Sequence, residues 1–431
     1  MPEEDKWDFD YEEYGLPILK CYGDTSAMSK DNKVTLSYNY EGREGVCTLK
    51  WQGSSSIRWA KKNYTIVFDN AFEAMEGWGV QKKYCLKANY IDFSHARNIC
   101  GARLWSQMVA LRDTLGESVY NKLENITGGK ILKDEEILDK LLLAPNNGAI
   151  DGFPICMAIN DEYVGLYTFN IPKEGWLFNM YDSTNEDGEY NGVTGAFVCA
   201  EGLSGGASNF YHSNNLFGED GSATKGFELE YISNQFEEKD IELSLRRLID
   251  TCIAVSEGKA QIEALDPYID WTSVTDYILY TLMAGHFDGI IKNYILATYD
   301  GVKWFISAYD MDSTFGLFWD GSKYQAASGS VSLNSLKSNL LFKILLEDTN
   351  KKEVLKRRYY ELSKWTYGHP MHEDRVAEVF SEFINQIPKG LYDMECLRWK
   401  NIPGTATNNL AQILDWYRKR FVVVEKLIAG L

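Results

Sequence analysis

The stretch from His286 to Asp312 concentrates the side chains with the clearest chemistry: His286-Phe287-Asp288, then Asn293, then Asp310-Met311-Asp312. An Asp with an Asn five residues on, followed by further carboxylates, is a pattern that phosphoryl transfer uses. The first Asp takes the proton of an acceptor hydroxyl, and the amide and carboxylate oxygens hold a divalent cation. Asp288 is therefore the candidate catalytic residue. Asn293, Asp310 and Asp312 are the candidate metal ligands, and hard oxygen donors without converging His or Cys suit Mg2+ or Mn2+. A metal-dependent phosphoesterase would draw on the same ligands. A plainer reading competes, because Asp residues after helices and strands commonly act as caps and turn formers.

Bringing these residues together requires a ribbon. Asp300-Gly301 between two apolar runs predicts a two-residue type I′ hairpin with Tyr299 opposite Val302. Asn293 then faces Ala308 and Ile291 faces Asp310, so Asp288 and Asp310 become neighbours. The face that carries Trp304, Ile306 and Ala308 ends in Asn293 and Asp310, joined by Asp312 if the strand continues. Carboxylates crowded in a poorly solvated place resist ionising together, and a divalent cation relieves that conflict.

A second segment runs Gly53-Ser54-Ser55-Ser56-Ile57-Arg58 and on to Lys61-Lys62. A Gly-Ser loop between strands offers backbone N–H groups and hydroxyls to phosphate oxygens, and Arg58, Lys61 and Lys62 add charge. Lys87, in a strand pattern, is an alternative phosphate lysine. Without the metal segment the bland reading, a polar hairpin loop with solvated lysines, is the better one. Asp92 and Arg97 flank a helix start and are suited to pairing with each other. His369 and His372 lack a third ligand nearby and read as surface or packing residues.

The elements around these segments change character along the chain. Val34 to Tyr40, Gly45 to Trp51, Tyr64 to Phe68 and Lys83 to Asn89 are short β-branched and aromatic runs that predict a twisted antiparallel sheet. A helix is expected from about Ser94, then strands at Phe153 to Ile159 and Tyr163 to Phe169. Residues 175–235 are Gly- and Asn-rich and read as irregular or β-like. From about residue 240 the pattern is helical, with a β insertion near 294–309. The last helix, near Thr407 to Ala429, puts Leu410, Ile413, Leu414, Tyr417, Phe421, Val424 and Ile428 on one stripe. The expected class is α+β, with a β-rich lobe over residues 1–235 and a mainly helical lobe over 236–431 that carries the hairpin.

Composition removes several function classes. The 431 residues carry 62 acidic and 44 basic side chains, a net charge of −18, which opposes binding to nucleic acid or acidic membrane surfaces. No apolar run approaches the roughly 20 residues that span a bilayer, and the opening Met-Pro-Glu-Glu-Asp-Lys lacks a secretion pattern. A soluble chain that stays where it is made is expected. The eight cysteines form no Cys-x-x-Cys pair and read as reduced, mostly buried thiols.

With these residues in view, the sequence resembles the CotH (spore coat protein H) family of atypical protein kinases. Gly53-Ser54-Ser55-Ser56 with Ala60-Lys61-Lys62-Asn63-Tyr64 is similar to one family block, and Leu86 to Asp92 with Arg97-Asn98 to the next. Asn160 to Tyr167 resembles a third, and Asp288 to Gly316 is the most specific. The resemblance implies a compact two-lobed protein-kinase-like fold, ATP with Mg2+ or Mn2+, and phosphorylation of Ser or Thr in a protein substrate. It places Asp288 as the catalytic Asp, Asn293 and Asp310 as metal ligands, and Lys61 or Lys62 as a nucleotide contact. Gln52, Ser54, Ala60 and Ile171 depart from the residues usual in the family, all on the nucleotide-facing side. The wording from Gly165 to Trp176 resembles versions found in phage or prophage tail-associated proteins. The alternative is a non-catalytic structural or adhesive module of a coat or phage tail that keeps the fold.

Overall fold

The computed structural model describes residues 11–53, 55–114, 135–184, 188, 192–202, 206–218, 225–322, 324–363, 368–405 and 409–431. Alternating apolar and polar residues set the first half as strands. These are β1 (Ile18–Tyr22), β2 (Val34–Tyr40), β3 (Arg43–Gln52), β4 (Asn63–Phe72), β5 (Gln81–Lys87), β6 (Gly152–Ile159) and β7 (Glu162–Asn170). They close into a barrel in the order β1-β2-β3-β4-β5-β7-β6. Along β2, Val34, Leu36, Tyr38 and Tyr40 turn inward while Thr35 and Ser37 face out. Phe68, Phe72, Tyr84 and Phe169 join them, and Tyr40 stacks on Phe169 at 5.5 Å. Burying each such ring stabilises the barrel by about 1.5–3 kcal/mol.

The expected antiparallel sheet is thus a barrel, closed by a strand that the sequence pattern did not reveal. Ile18 to Tyr22 pairs antiparallel with β2 and parallel with β6, placing Leu19 and Cys21 in the core. Closure removes both edges, which an open sheet would leave unpaired.

Helix α1 (Arg97–Thr114) leads out of the barrel. It starts after Ser94 because the Asp92 carboxylate accepts the Arg97 N–H at 2.8 Å and pairs with its guanidinium at 2.6 Å. A short α2 (Glu135–Leu142) follows. The Gly- and Asn-rich region contributes β8 (Ala196–Ala200) and β9 (Phe227–Ile232) to a second sheet with β10 (Tyr294–Thr298) and β11 (Phe305–Ala308), ordered β11-β10-β8-β9.

The rest is helical: α3 (Glu238–Ser256), α4 (Trp271–Ala284), α5 (Leu333–Leu336), α6 (Leu340–Glu347), α7 (Thr349–Ser363), α8 (Glu373–Ile384), α9 (Lys389–Arg398) and α10 (Leu410–Ala429). The class is α+β. Every residue of α4 is buried, and Asp270 caps its start by accepting the N–H groups of Thr272 and Ser273. Midway along it, Asp276 binds Arg112 and Arg358, each at 2.7 Å. Burial alone would raise the Asp276 pKa, but the two guanidiniums hold it below the usual carboxylate range.

On α10 the buried stripe keeps Ile413, Tyr417, Val424 and Ile428 but adds Trp416 and Arg420, whereas Leu410, Leu414 and Phe421 are only partly covered. Carbonyl oxygens hold the buried Arg420. Its guanidinium donates to those of Leu282 at 2.7 Å and Ala327 at 2.8 Å, and to that of Val331. Among the described residues the cysteines are free, all but Cys396 buried, and no helix is long and apolar enough to cross a membrane.

Candidate active-site cavity

The hairpin forms, but one residue out of the expected register. Tyr294 faces Ala308, Leu296 faces Ile306 and Ala297 faces Phe305. A type I′ turn needs positive φ at both central residues, and only Gly301 has it, at 72°. The Asp300 side chain instead accepts the N–H groups of Val302 and Lys303, both at 2.8 Å, and builds a wider loop.

Asn293 and Asp310 consequently lie outside the strands rather than at the end of a shared face. Asn293, just before β10, and Asp310, beyond the end of β11, are both left-handed, at φ 57° and φ 53°, a conformation that Asn and Asp tolerate better than most. The Asn293 N–H donates to the Ala200 carbonyl at 2.9 Å, and the buried His286 donates from Nε2 to the Asn293 carbonyl at 3.3 Å. Asp288 opens a tight turn over Asp288–Ile290, and its carbonyl accepts the Lys292 N–H at 3.0 Å. The Asp288 carboxylate lies 3.1 Å from the Lys292 ammonium.

Beyond β11 the chain does not continue as a strand, so Asp312 reaches the site from a turn. That turn is held from α1: Asn98 Oδ1 accepts the Met311 N–H at 3.0 Å, and Arg97 Nε donates to the Thr314 carbonyl at 3.0 Å. Arg97 therefore binds this turn as well as Asp92.

These groups border one cavity of about 730 Å3 between the barrel, the second sheet and the turns. Of the sequence candidates, Gly53, Lys61, Lys87, Asp288, Asn293, Asp310 and Asp312 line it. At Gly53, φ is 116° and a Cβ would lie 2.1 Å from Ser56 Oγ, so the loop needs glycine there. Ser54, and the side chain of Ser55, lie outside the described residues.

The cations separate into distinct roles. Lys61 borders the cavity, yet its ammonium is buried against Glu395 at 2.5 Å and donates to the carbonyls of Ala88 and Leu166. Lys62 donates to the carbonyls of Ile57 and Trp59 and does not line the cavity. The exposed Arg58 lies over the Trp59 ring at 5.2 Å and the Trp319 ring at 5.7 Å, also outside the lining. Lys87, at the end of β5, does line it, and its charge acts on Asp312.

Sequence reasoning missed Asn98, Lys173, Glu201, Glu228, Glu230 and Lys292, all of which line the cavity. Lys173 pairs with Glu230 and lies 5.1 Å from the centre of the Tyr309 ring. Cys199, Glu201 and Glu230 offer ligand atoms within 4.8 Å of one another. Lys173 already supplies positive charge to that group. The available signal was alternation: Cys199 and Glu201, and Glu228 and Glu230, are two apart in strand-like segments and so share a face.

Electrostatically the cavity is carboxylate-rich. Burial first, then the charges of Asp310, Asp288 and Asp92, push the Asp312 pKa well above its usual range, with Lys87 opposing. Asn293, Asp310 and Asp312 therefore fit a hard divalent cation by donor chemistry and by unneutralised charge. Among the described residues the acidic and thiol ligand atoms that lie within 4.8 Å of one another are those of Cys199, Glu201 and Glu230, not those of Asp288, Asp310 and Asp312. A divalent cation would neutralise phosphate charge and polarise the phosphoryl group.

The family model described as "CotH kinase protein" matches residues 49–424. The match takes in the glycine-serine loop, the Asn98 and Asp310 turns and α9. No curated protein matches the chain.

Proposed function

The chain belongs to the CotH kinase protein family, and from that premise we propose that it transfers the γ-phosphoryl group of ATP to a Ser or Thr hydroxyl of a protein substrate. In this reading residues 1–235, with the barrel and β8 and β9, and residues 236–431, helical apart from β10 and β11, act as the two lobes of a kinase-like fold, with ATP and Mg2+ or Mn2+ bound between them. The substrate protein and any coat or virion assembly are open partners; nucleic acid and membrane are not expected ones.

One observation carries the reading: Asp288, Asn293, Asp310 and Asp312 share a single cavity with Lys87. Asp288 takes the proton of the attacking hydroxyl. Asn293, Asp310 and Asp312 would hold the divalent ion, and Lys87 contacts phosphate oxygens. Lys87, the alternative in sequence, is preferred here to Lys61 or Lys62 as the phosphate lysine, because both of those ammoniums are engaged with carboxylate or carbonyl oxygens.

The test combines thermal melting with transfer from γ-labelled ATP. Stabilisation by Mn2+ and ATP, with label appearing on protein, supports the kinase reading. A chain that binds neither ligand is the structural module instead, and phosphate release from a generic ester without ATP marks a phosphoesterase.

A further inference from the structure

We infer that Lys292 is a catalytic residue of the transfer step, its ammonium leaving Asp288 to contact the transferring phosphoryl oxygens. This inference rests on the kinase reading above and adds to it a residue that the spacing argument did not weigh.

The cavity lining includes six carboxylates, from Glu201, Glu228, Glu230, Asp288, Asp310 and Asp312, so cations are what a phosphate needs from this protein. The five lysines that line it, Lys30, Lys61, Lys87, Lys173 and Lys292, are not equivalent, and Lys30 is exposed in the bend before β2. Lys61 is buried on Glu395, and Lys173 is paired with Glu230. Lys87 faces Asp312, on the proposed metal side. Lys292 is instead 3.1 Å from Asp288, the proposed base. Among the described residues it is the cation that forms an ion pair with the proposed base.

That ion pair is built to exchange. The side chains are 34% and 23% exposed, so water screens the attraction and a second anion can compete for the ammonium. The backbone beneath it is fixed, by the Lys292 N–H on the Asp288 carbonyl at 3.0 Å and the Asn293 N–H on the Ala200 carbonyl at 2.9 Å. A flexible four-carbon stem on a fixed base delivers a mobile point charge to a constant place.

In the step itself the acceptor oxygen forms a bond to the γ-phosphorus, and the bond from that phosphorus to the β–γ bridging oxygen breaks. ADP leaves with the electron pair, and the hydroxyl proton passes to the Asp288 carboxylate. Lys292 keeps its protons throughout. It frees Asp288 to accept one while offsetting charge on the transferred group, the kind of contact that raises kcat more than it lowers KM.

The experiment measures transfer from γ-labelled ATP with Mn2+ to dephosphorylated casein, using the full chain and the variants Asp288→Asn, Lys292→Ala and Lys292→Arg. Loss of roughly a hundredfold in kcat for Lys292→Ala, with KM for ATP changed by less than about threefold, is expected. Lys292→Arg should recover most of that loss with an unchanged melting temperature, because it keeps the charge. If Asp288→Asn abolishes transfer while Lys292→Ala keeps kcat within about threefold, the kinase reading stands and this inference is overturned. If Lys292→Arg is as impaired as Lys292→Ala and both melt lower, the role is structural and the inference is also overturned. A wild-type chain that transfers no label to casein or to itself removes the kinase reading, and the inference with it.

Discussion

Lys61 Nζ lies 2.5 Å from Glu395 Oε2, joining the barrel to α9 in a place where both side chains are 1% exposed. Glu395 also accepts the Leu166 N–H at 2.5 Å and the Tyr163 hydroxyl at 3.3 Å. Gly165 makes room for them: its φ is 149°, and a Cβ there would lie 2.7 Å from Glu395 Oε1 and 2.8 Å from Lys61 Cε. A lysine that reads as a phosphate ligand in sequence is thus the cation of a buried joint. Burial pulls its pKa down while Glu395 opposes the shift.

Removing that cation should unfold rather than unload the protein. Lys61→Met leaves Glu395 buried without its charge partner, a loss of about 3–5 kcal/mol. Thermal melting should show a drop of several degrees for Lys61→Met, with the further gain on adding Mn2+ and ATP retained. Lys87→Ala should do the reverse, melting like the wild type but losing most of the ATP-dependent gain.

Asp312 supplies a pH-dependent prediction. Its pKa is raised in the folded state, so the fold favours the protonated form, and its contribution to stability is present below the unfolded pKa of about 3.9 and lost as pH rises through the folded value. At neutral pH without metal, Asp312→Asn should therefore raise the melting temperature. The same substitution should remove most of the Mn2+-dependent gain, because a charged ligand is gone. A melt series in EDTA and in Mn2+ reads both signs.

Asn98 is a positioning residue for the Asp310–Asp312 turn. Asn98→Ala leaves the Met311 N–H without its acceptor in a buried setting, at a cost of about 1–3 kcal/mol. Steady-state transfer should lose at least about tenfold in kcat, since small displacements of catalytic groups are expensive. The Mn2+ concentration needed for half-maximal rate should rise, a change that general destabilisation does not produce.

What the sequence made legible differs by residue. In β2, Val34 to Tyr40 alternates cleanly between apolar and polar side chains, and the strand bounds coincide with the expected ones. β1 was invisible because five residues beside Pro17 carry too little pattern, and only the parallel pairing with β6 gives them a place. The hairpin register failed because Asp300 was read as a backbone turn residue when its side chain makes the turn. The grouping of Asp288, Asn293 and Asp310 along one cavity does not depend on that register. Left-handed backbone at Asn293, before β10, and at Asp310, after β11, sets their directions, a use of Asn and Asp that a strand template overlooks. In the Ser-rich stretch from Ser328 to Ser332, Ser332 caps α5 and Ser330 is buried.

The most direct test of the central claim is mass spectrometry and label counting on the purified chain incubated with γ-labelled ATP and Mn2+, alone and with casein, comparing wild type with Asp288→Asn and Asp310→Ala. The predicted result is phosphate on Ser or Thr for the wild type and its loss in both variants while they still melt cooperatively. Transfer that continues unchanged in those variants would contradict the claim.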